Sequence, residues 1–235
     1  MHISLNADLG ESPARWASGE DVALLDVVTS ANVCCGAYAG DDELISATCA
    51  ACVERGVAIG AQVGYPDREG FGRVPMDMEP QALRDEVAAQ IAHLIDLAGS
   101  VGGRVTYVKP HGALYSTIVH DEVQAAAVVV AVHAAALPLV GLPKAASLRL
   151  ARAAGVPVIL EGFADRGYTD EGTLIPRSEP GALLDDPGDA AVQALRLLHE
   201  GVASICVHSD SPRALDLVRA VRVALEYAGA EVRHP

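Results

Sequence analysis

Large aromatic side chains are scarce in this chain: of 235 residues only 4% are aromatic, with one Trp and two Phe. A core built on stacked rings is excluded, so packing must bring small Ala and Val side chains close together. Positive charge is also short, 17 Lys and Arg against 31 Asp and Glu for a formal net charge of −14. That balance excludes a nucleic-acid binder, which needs clustered cations to neutralise phosphates. No apolar run reaches membrane-spanning length, and no basic segment leads into an apolar one at the N-terminus, so neither a span nor a leader is expected. No G-x-G-x-x-G follows the first apolar run and no P-loop occurs anywhere. Five cysteines, an odd number, sit in apolar settings and point to reduced thiols in the cytoplasm. Cys49 and Cys52 form a C-x-x-C within the helix-like "ELISATCAACVERG", without a second ligand pair, and read as core thiols rather than a zinc or redox site. Cys34 and Cys35 would point to opposite faces of a strand.

What is present is an alternation. Short β-branched or apolar runs at 2–8, 28–33, 57–62, 105–109, 138–141, 156–161 and 203–208 read as strands. Helical patterns lie between or after them at 19–27, 41–55, 80–101, 121–135, 144–154, 187–200 and 211–228. Ser18 with Asp21, and Asp41, are candidate caps. Asp186-Pro187 and Ser211-Pro212 place a proline at a first helical position, and Gly155 and Gly201 follow helical stretches as stops. Seven strand–helix pairs with near-continuous apolar strands predict parallel pairing under a cover of helices. With no linker or shift of composition, one α/β domain over residues 1–235, a closed or nearly closed barrel, is the expectation.

In such barrels chemistry collects at the C-terminal ends of strands. There stand Asn6, Asp8 and Glu11; Asn32, Tyr38 and Asp41; Gln62, Tyr65, Asp67 and Arg73; Lys109 and His111; Glu161, Asp165, Arg166 and Tyr168; and His208 and Asp210. Nearly every strand carries its polar residues at the same end, which random decoration would not produce. Lys109-Pro-His111 is the sharpest motif: proline stiffens the exit, lysine can hold an anion or stabilise developing charge, and histidine can move protons. The structural alternative is a salt-bridged lysine with a capping histidine. Asp8 could be a base, a metal ligand or only a turn residue before Gly10. Glu161 would be costly to bury unpaired, with Lys109 or Arg166 as candidate partners.

These motifs resemble the LamB/YcsF family. The matching pieces are "NADLGES" (6–12), "SANVCCGAYAGD" (30–41), "IGAQVGYPDREGFGR" (59–73), "VKPHGALY" (108–115), "EGFADRGYTDEGTLIPR" (161–177) and "CVHSD" (206–210). The resemblance implies a distorted seven-stranded TIM-like barrel similar to polysaccharide deacetylases. It also implies the A-type subunit of a bacterial ATP-dependent 5-oxoprolinase, opening the 5-oxoproline lactam to L-glutamate with two further subunits, of B and C type. On that reading Asp8, Lys109 and His111 are catalytic, with Asp8 as base or water-orienting group. Asn32, Gln62, Tyr65, Glu161, Asp165, Arg166 and His208 then bind substrate. ATP enters as an inference from the family alone, and partner subunits could bind it.

The chain departs from the family pattern at informative places. Ala7 stands for a cysteine, Ala37-Tyr38 for Phe-His, Gln62-Val63 for His-Pro, and Ser209 for a glycine. Two histidines at neighbouring strand ends beside Asp8 would make a divalent metal site. Glutamine offers only a weak neutral oxygen, and tyrosine must lose a proton of pKa about 10 to bind strongly. No metal is therefore expected. The substitutions keep open two further readings: a hydrolase of another small amide or carbamoyl compound, and a silent subunit that binds a small acid or scaffolds its partners. Ala- and Val-rich faces such as 121–135 could pack internally or between copies of the chain.

Overall fold

The computed structural model describes residues 2–211 and 213–235. Seven parallel strands close into a ring: β1 (His2–Leu9), β2 (Ser30–Cys34), β3 (Ala58–Val63), β4 (Val105–Pro110), β5 (Leu139–Gly141), β6 (Val158–Phe163) and β7 (Ser204–Cys206). β1 closes the ring by pairing with both β2 and β7. A two-residue strand, β8 (Glu231–Val232), adds to the start of β1. The helical layer is α1 (Pro13–Ser18), α2 (Glu20–Leu25), α3 (Asp42–Arg55), α4 (Pro80–Ser100), α5 (Gly112–Thr117), α6 (Glu122–Ala134), α7 (Ala146–Ala153), α8 (Pro187–His199) and α9 (Ala214–Tyr227). None of the described helices is long and apolar enough to cross a membrane.

The period of two along a strand sorts the side chains. On β1, Ile3, Leu5, Ala7 and Leu9 join the buried apolar core, while Ser4, Asn6 and Asp8 turn into the ring and meet one another's neighbours in layers. Ser4 hydrogen-bonds Ser30 at 3.1 Å and Ser204 at 3.0 Å, forming a floor. One layer higher, Asn32 donates to Asn6 Oδ1 at 2.7 Å, and Asn6 donates to Glu161 at 3.0 Å. These inward polar groups satisfy one another, the condition under which polar burial is tolerable. Gly60 on β3 makes this possible: a Cβ there would stand 2.0 Å from a ring carbon of Tyr107, whose hydroxyl reaches Asn32 at 2.8 Å.

The caps follow the sequence in part. Asp41 accepts from Leu44 N at 2.9 Å, and Asp186 from Gly188 N at 2.8 Å. The expected helix over 19–27 is shorter, α2 (Glu20–Leu25), and the unexpected α1 precedes it, the two separated at Gly19, whose φ is +80°. Ser18 caps nothing there; its hydroxyl donates to the Arg15 carbonyl, and Asp21 turns inward to the Gly10 N–H. Pro212, expected at the start of the last helix, lies outside the described residues, and α9 begins at Ala214. All five cysteines are free and buried.

Candidate active site

At the C-terminal mouth of the ring lies a cavity of about 410 Å³, lined among others by Asp8, Lys109, His111, Arg166 and His208. Of the ten residues expected at a site, these five face the cavity. Asn32, Gln62, Glu161 and Asp165 stand behind them as hydrogen-bond partners. Tyr65 does not join them: its hydroxyl donates to Gln124 on α6, outside the ring, at 2.5 Å.

Lys109 is the hub. Its ammonium lies 2.8 Å from Glu161 Oε1, 3.1 Å from Asn6 Oδ1 and 3.0 Å from Cys206 Sγ, with Asp8 Oδ1 at 3.7 Å. An ammonium has three N–H groups, and all three are engaged, so Lys109 acts as a fixed charge beneath the cavity. Burial alone would favour the neutral amine, but Cys206, Glu161 and Asp8 hold its pKa well above the usual lysine value. Tyr115 donates to the other oxygen of Glu161 at 3.1 Å, leaving neither carboxylate oxygen unpaired. Asp8, which burial would push up, is instead held below its ordinary value by Lys109, with His208, His111 and the Asn32 amide assisting. It is a carboxylate at the cavity wall.

The two histidines differ. His111 Nε2 donates to the Phe71 carbonyl at 3.1 Å, which leaves Nδ1 as an acceptor for the Gln62 amide at 3.1 Å. Gln62 in turn accepts from Tyr38 OH at 2.6 Å, and the Tyr38 ring stacks on His111 at 4.1 Å. Phe71 holds its carbonyl in place from a left-handed backbone, φ +56°, unusual for a bulky residue and often found at functional sites. Burial pushes the His111 pKa down to about 4, so the ring is neutral with both nitrogens occupied. His208 is the complement. Asp165 accepts from its backbone N at 2.9 Å and from Nδ1 at 3.0 Å, and among the described residues no hydrogen bond engages Nε2. A carboxylate-oriented imidazole with one free nitrogen at a cavity wall is the arrangement of a general base.

Glu11, noted in the sequence but not placed at the site, is brought there by the turn after β1. Its Oε1 is buried without a hydrogen-bond partner among the described residues, 3.7 Å from His111 Nδ1. Burial, reinforced by Asp8, raises its pKa well above the usual carboxyl range. One ligand atom each from Asp8, Glu11 and His111 fall within 4.8 Å of one another. The His111 lone pair is already committed to Gln62, and Tyr38 and Gln62 are committed to each other, so the His111 imidazole is not free to take a metal in this cluster. Arg73, Arg177 and Phe163 also line the cavity. The sequence held a hint of the arginines in "GFGR" and "LIPR".

A closed parallel barrel with a buried, charge-balanced cluster and an oriented imidazole at its strand ends is an enzyme-type architecture. The model of the LamB/YcsF family matches residues 3–235, and the chain belongs to that family. It is 49% identical to the A subunit of 5-oxoprolinase from Streptomyces avermitilis over 98% of each chain. The crystal structure of the lactam utilization protein from Thermus thermophilus is similar with a TM-score of 0.91 and 40% identity, covering 99% of each chain. The polysaccharide deacetylase Bc1974 from Bacillus cereus, at 13% identity and a TM-score of 0.52 over 100% of this chain and 91% of that one, shares the fold.

Proposed function

We propose that this chain is the A subunit of an ATP-dependent 5-oxoprolinase, acting in the cytoplasm with two partner subunits to open 5-oxoproline to L-glutamate. Supporting the reading is the full-length likeness to proteins so named, together with one observation: a fixed cation and an oriented, unoccupied imidazole nitrogen share one small cavity.

The chemistry asks for little more. A five-membered lactam resists water because its nitrogen feeds the carbonyl; phosphorylating the amide oxygen with ATP withdraws that donation. Water then attacks the ring carbonyl carbon, His208 Nε2 takes its proton, and the tetrahedral carbon expels the nitrogen, to which His208 returns the proton. The acyl phosphate left behind is released as glutamate and phosphate by a second water. Lys109, with its donors engaged, stabilises developing negative charge through its field rather than by direct contact. Asp8 orients the water. His111 becomes a wall of the site rather than its proton carrier, a reassignment of the role that the motif alone suggested.

The test is glutamate formation from 5-oxoproline and ATP, with this chain and its partner subunits. His208→Gln is expected to lower kcat by about 10²–10⁴ with the fold intact, and full activity in that variant would overturn the assignment. Tyr38 and Gln62, standing where the family has histidines, favour one second reading, hydrolysis of another small cyclic amide or carbamoyl compound. Turnover of such a compound in place of 5-oxoproline would establish it.

A further inference from the structure

Across the mouth of the barrel the loop after β3 is tied to the loops after β6 and β7. Arg73 and Arg177 both donate to the same oxygen of Asp210, at 2.7 Å and 3.0 Å. In the ring order β3 lies three strands from β6, so this clasp spans the opening instead of joining neighbours. Both arginines line the cavity. Two guanidiniums on one carboxylate leave a surplus positive charge. Among the described residues each guanidinium makes only that one hydrogen bond, although it carries five N–H groups. The other two cations of the cavity wall are committed elsewhere. Lys109 is saturated, and Arg166 donates to the carbonyls of Ala182 and Ile175 at 3.0 Å and 2.6 Å, pinning its loop.

We propose that Arg73 and Arg177, bridged by Asp210, form a carboxylate-binding subsite that admits acidic substrates and disfavours their neutral counterparts. Its assignment to the carboxylate of 5-oxoproline rests on the function proposed above. Several features support it. The chain carries a net charge of −14, and Glu161 and Asp165 balance Lys109 and His208 behind the cavity wall; at the clasp, by contrast, two guanidiniums share one carboxylate, and that local surplus favours an anion. Planar guanidiniums match a carboxylate in forked geometry, which lysine cannot do. Arg73 is also steadied by stacking 5.1 Å over Phe71, the residue that fixes His111. Burial would raise the Asp210 pKa, but Arg177 and Arg73 push it down to about 2, so the internal counter-ion is present throughout the working pH range. An incoming carboxylate therefore shares the guanidiniums with Asp210 or displaces it.

Isothermal titration of the full chain with four probes tests the proposal: 5-oxoproline, its carboxamide, 2-pyrrolidinone, and cyclopentanecarboxylate, an acid of similar size with no lactam. The acid should bind about ten- to hundredfold more tightly than its carboxamide, as for charge-assisted hydrogen bonds to a carboxylate. Arg177→Met should remove most of that preference and leave 2-pyrrolidinone unchanged. Asp210→Asn should strengthen both acids, whereas a merely structural tie would weaken every probe. Equal affinity for acid and carboxamide in the wild type overturns the subsite and leaves the lactam reading standing. Clasp-dependent binding of cyclopentanecarboxylate with no binding of either neutral lactam or 5-oxoproline keeps the subsite and overturns the lactam reading. If no acid binds, or if Asp210→Asn weakens acids and neutral lactams alike in a folded protein, the subsite is refuted.

Discussion

Replacing Glu161 by alanine isolates the buried ion pair that supports the site. Lys109 and Glu161 meet at 2.8 Å with side chains 3% and 0% exposed, and Glu161 also accepts from Asn6 and Tyr115. Removing one partner of such a pair leaves a buried charge uncompensated, a loss of about 3–5 kcal/mol. Asp8, 3.7 Å from the same ammonium, takes up part of the lost interaction, which places the expected loss near the lower end, about 3 kcal/mol. For a domain of this size that corresponds to roughly 6–12 °C in Tm. Urea unfolding of the isolated chain, followed by circular dichroism, reads it. Lys109→Met combined with Glu161→Leu should cost clearly less than the sum of the single changes, because no charge of the pair is then stranded. A loss below about 1 kcal/mol for Glu161→Ala, or simple additivity in the double variant, would refute the claim that this pair is a desolvated unit.

Other expectations follow from the same geometry. His111, with a folded pKa of about 4 against 6.5 for the free side chain, binds fewer protons folded than unfolded; its contribution is present above pH 6.5 and lost as pH falls toward 4, amounting to about 3 kcal/mol. Glu11, shifted upward, acts in the opposite sense and loses its contribution as pH rises, so the His111 effect is read as the difference in pH slope between wild type and His111→Gln; parallel slopes would contradict it. Gly60→Ala drives a Cβ into the Tyr107 ring and should cost about 1–3 kcal/mol while releasing Asn32 from Tyr107; an unchanged Tm would show that the ring moves freely. Elemental analysis of the purified chain should find no stoichiometric divalent metal, and the double change Tyr38→His and Gln62→His should confer zinc binding by titration; one metal per wild-type chain would sink that reasoning.

The ring and its functional end were legible because two periodicities coincide in the sequence. Ser4, Asn6 and Asp8 alternate with Ile3, Leu5, Ala7 and Leu9, and the polar residues of separate strands gather at the same ends. The six-residue helices α1 and α5 escaped because they span under two turns, too short for a helical period to register. The division of labour between the histidines was also illegible. It depends on which ring nitrogen is occupied, and His208 meets its partner Asp165 43 residues away. The clasp is more remote still, since Arg73 and Asp210 are 137 residues apart, and only closure of the ring brings them together.

The departures from the family pattern acquire a physical meaning from this arrangement. Tyr38, Gln62 and His111 form a chain of hydrogen bonds that ends on the Phe71 carbonyl. Such a chain has no proton to spare at neutral pH and no open coordination site, so that side of the mouth is a rigid, neutral wall. The opposite side keeps the free imidazole nitrogen of His208, and the clasp beside it keeps the uncommitted guanidinium donors. On the function proposed above, the proton transfer runs on the β6–β7 side, where His208 keeps a free nitrogen. On that reading, restoring histidine at position 62 alone would disturb His111 without supplying a base beside the proposed carboxylate subsite. Turnover of Gln62→His should accordingly not exceed that of the wild type in the glutamate-forming assay, and a gain in kcat would mean that the proton path crosses the β3 side after all.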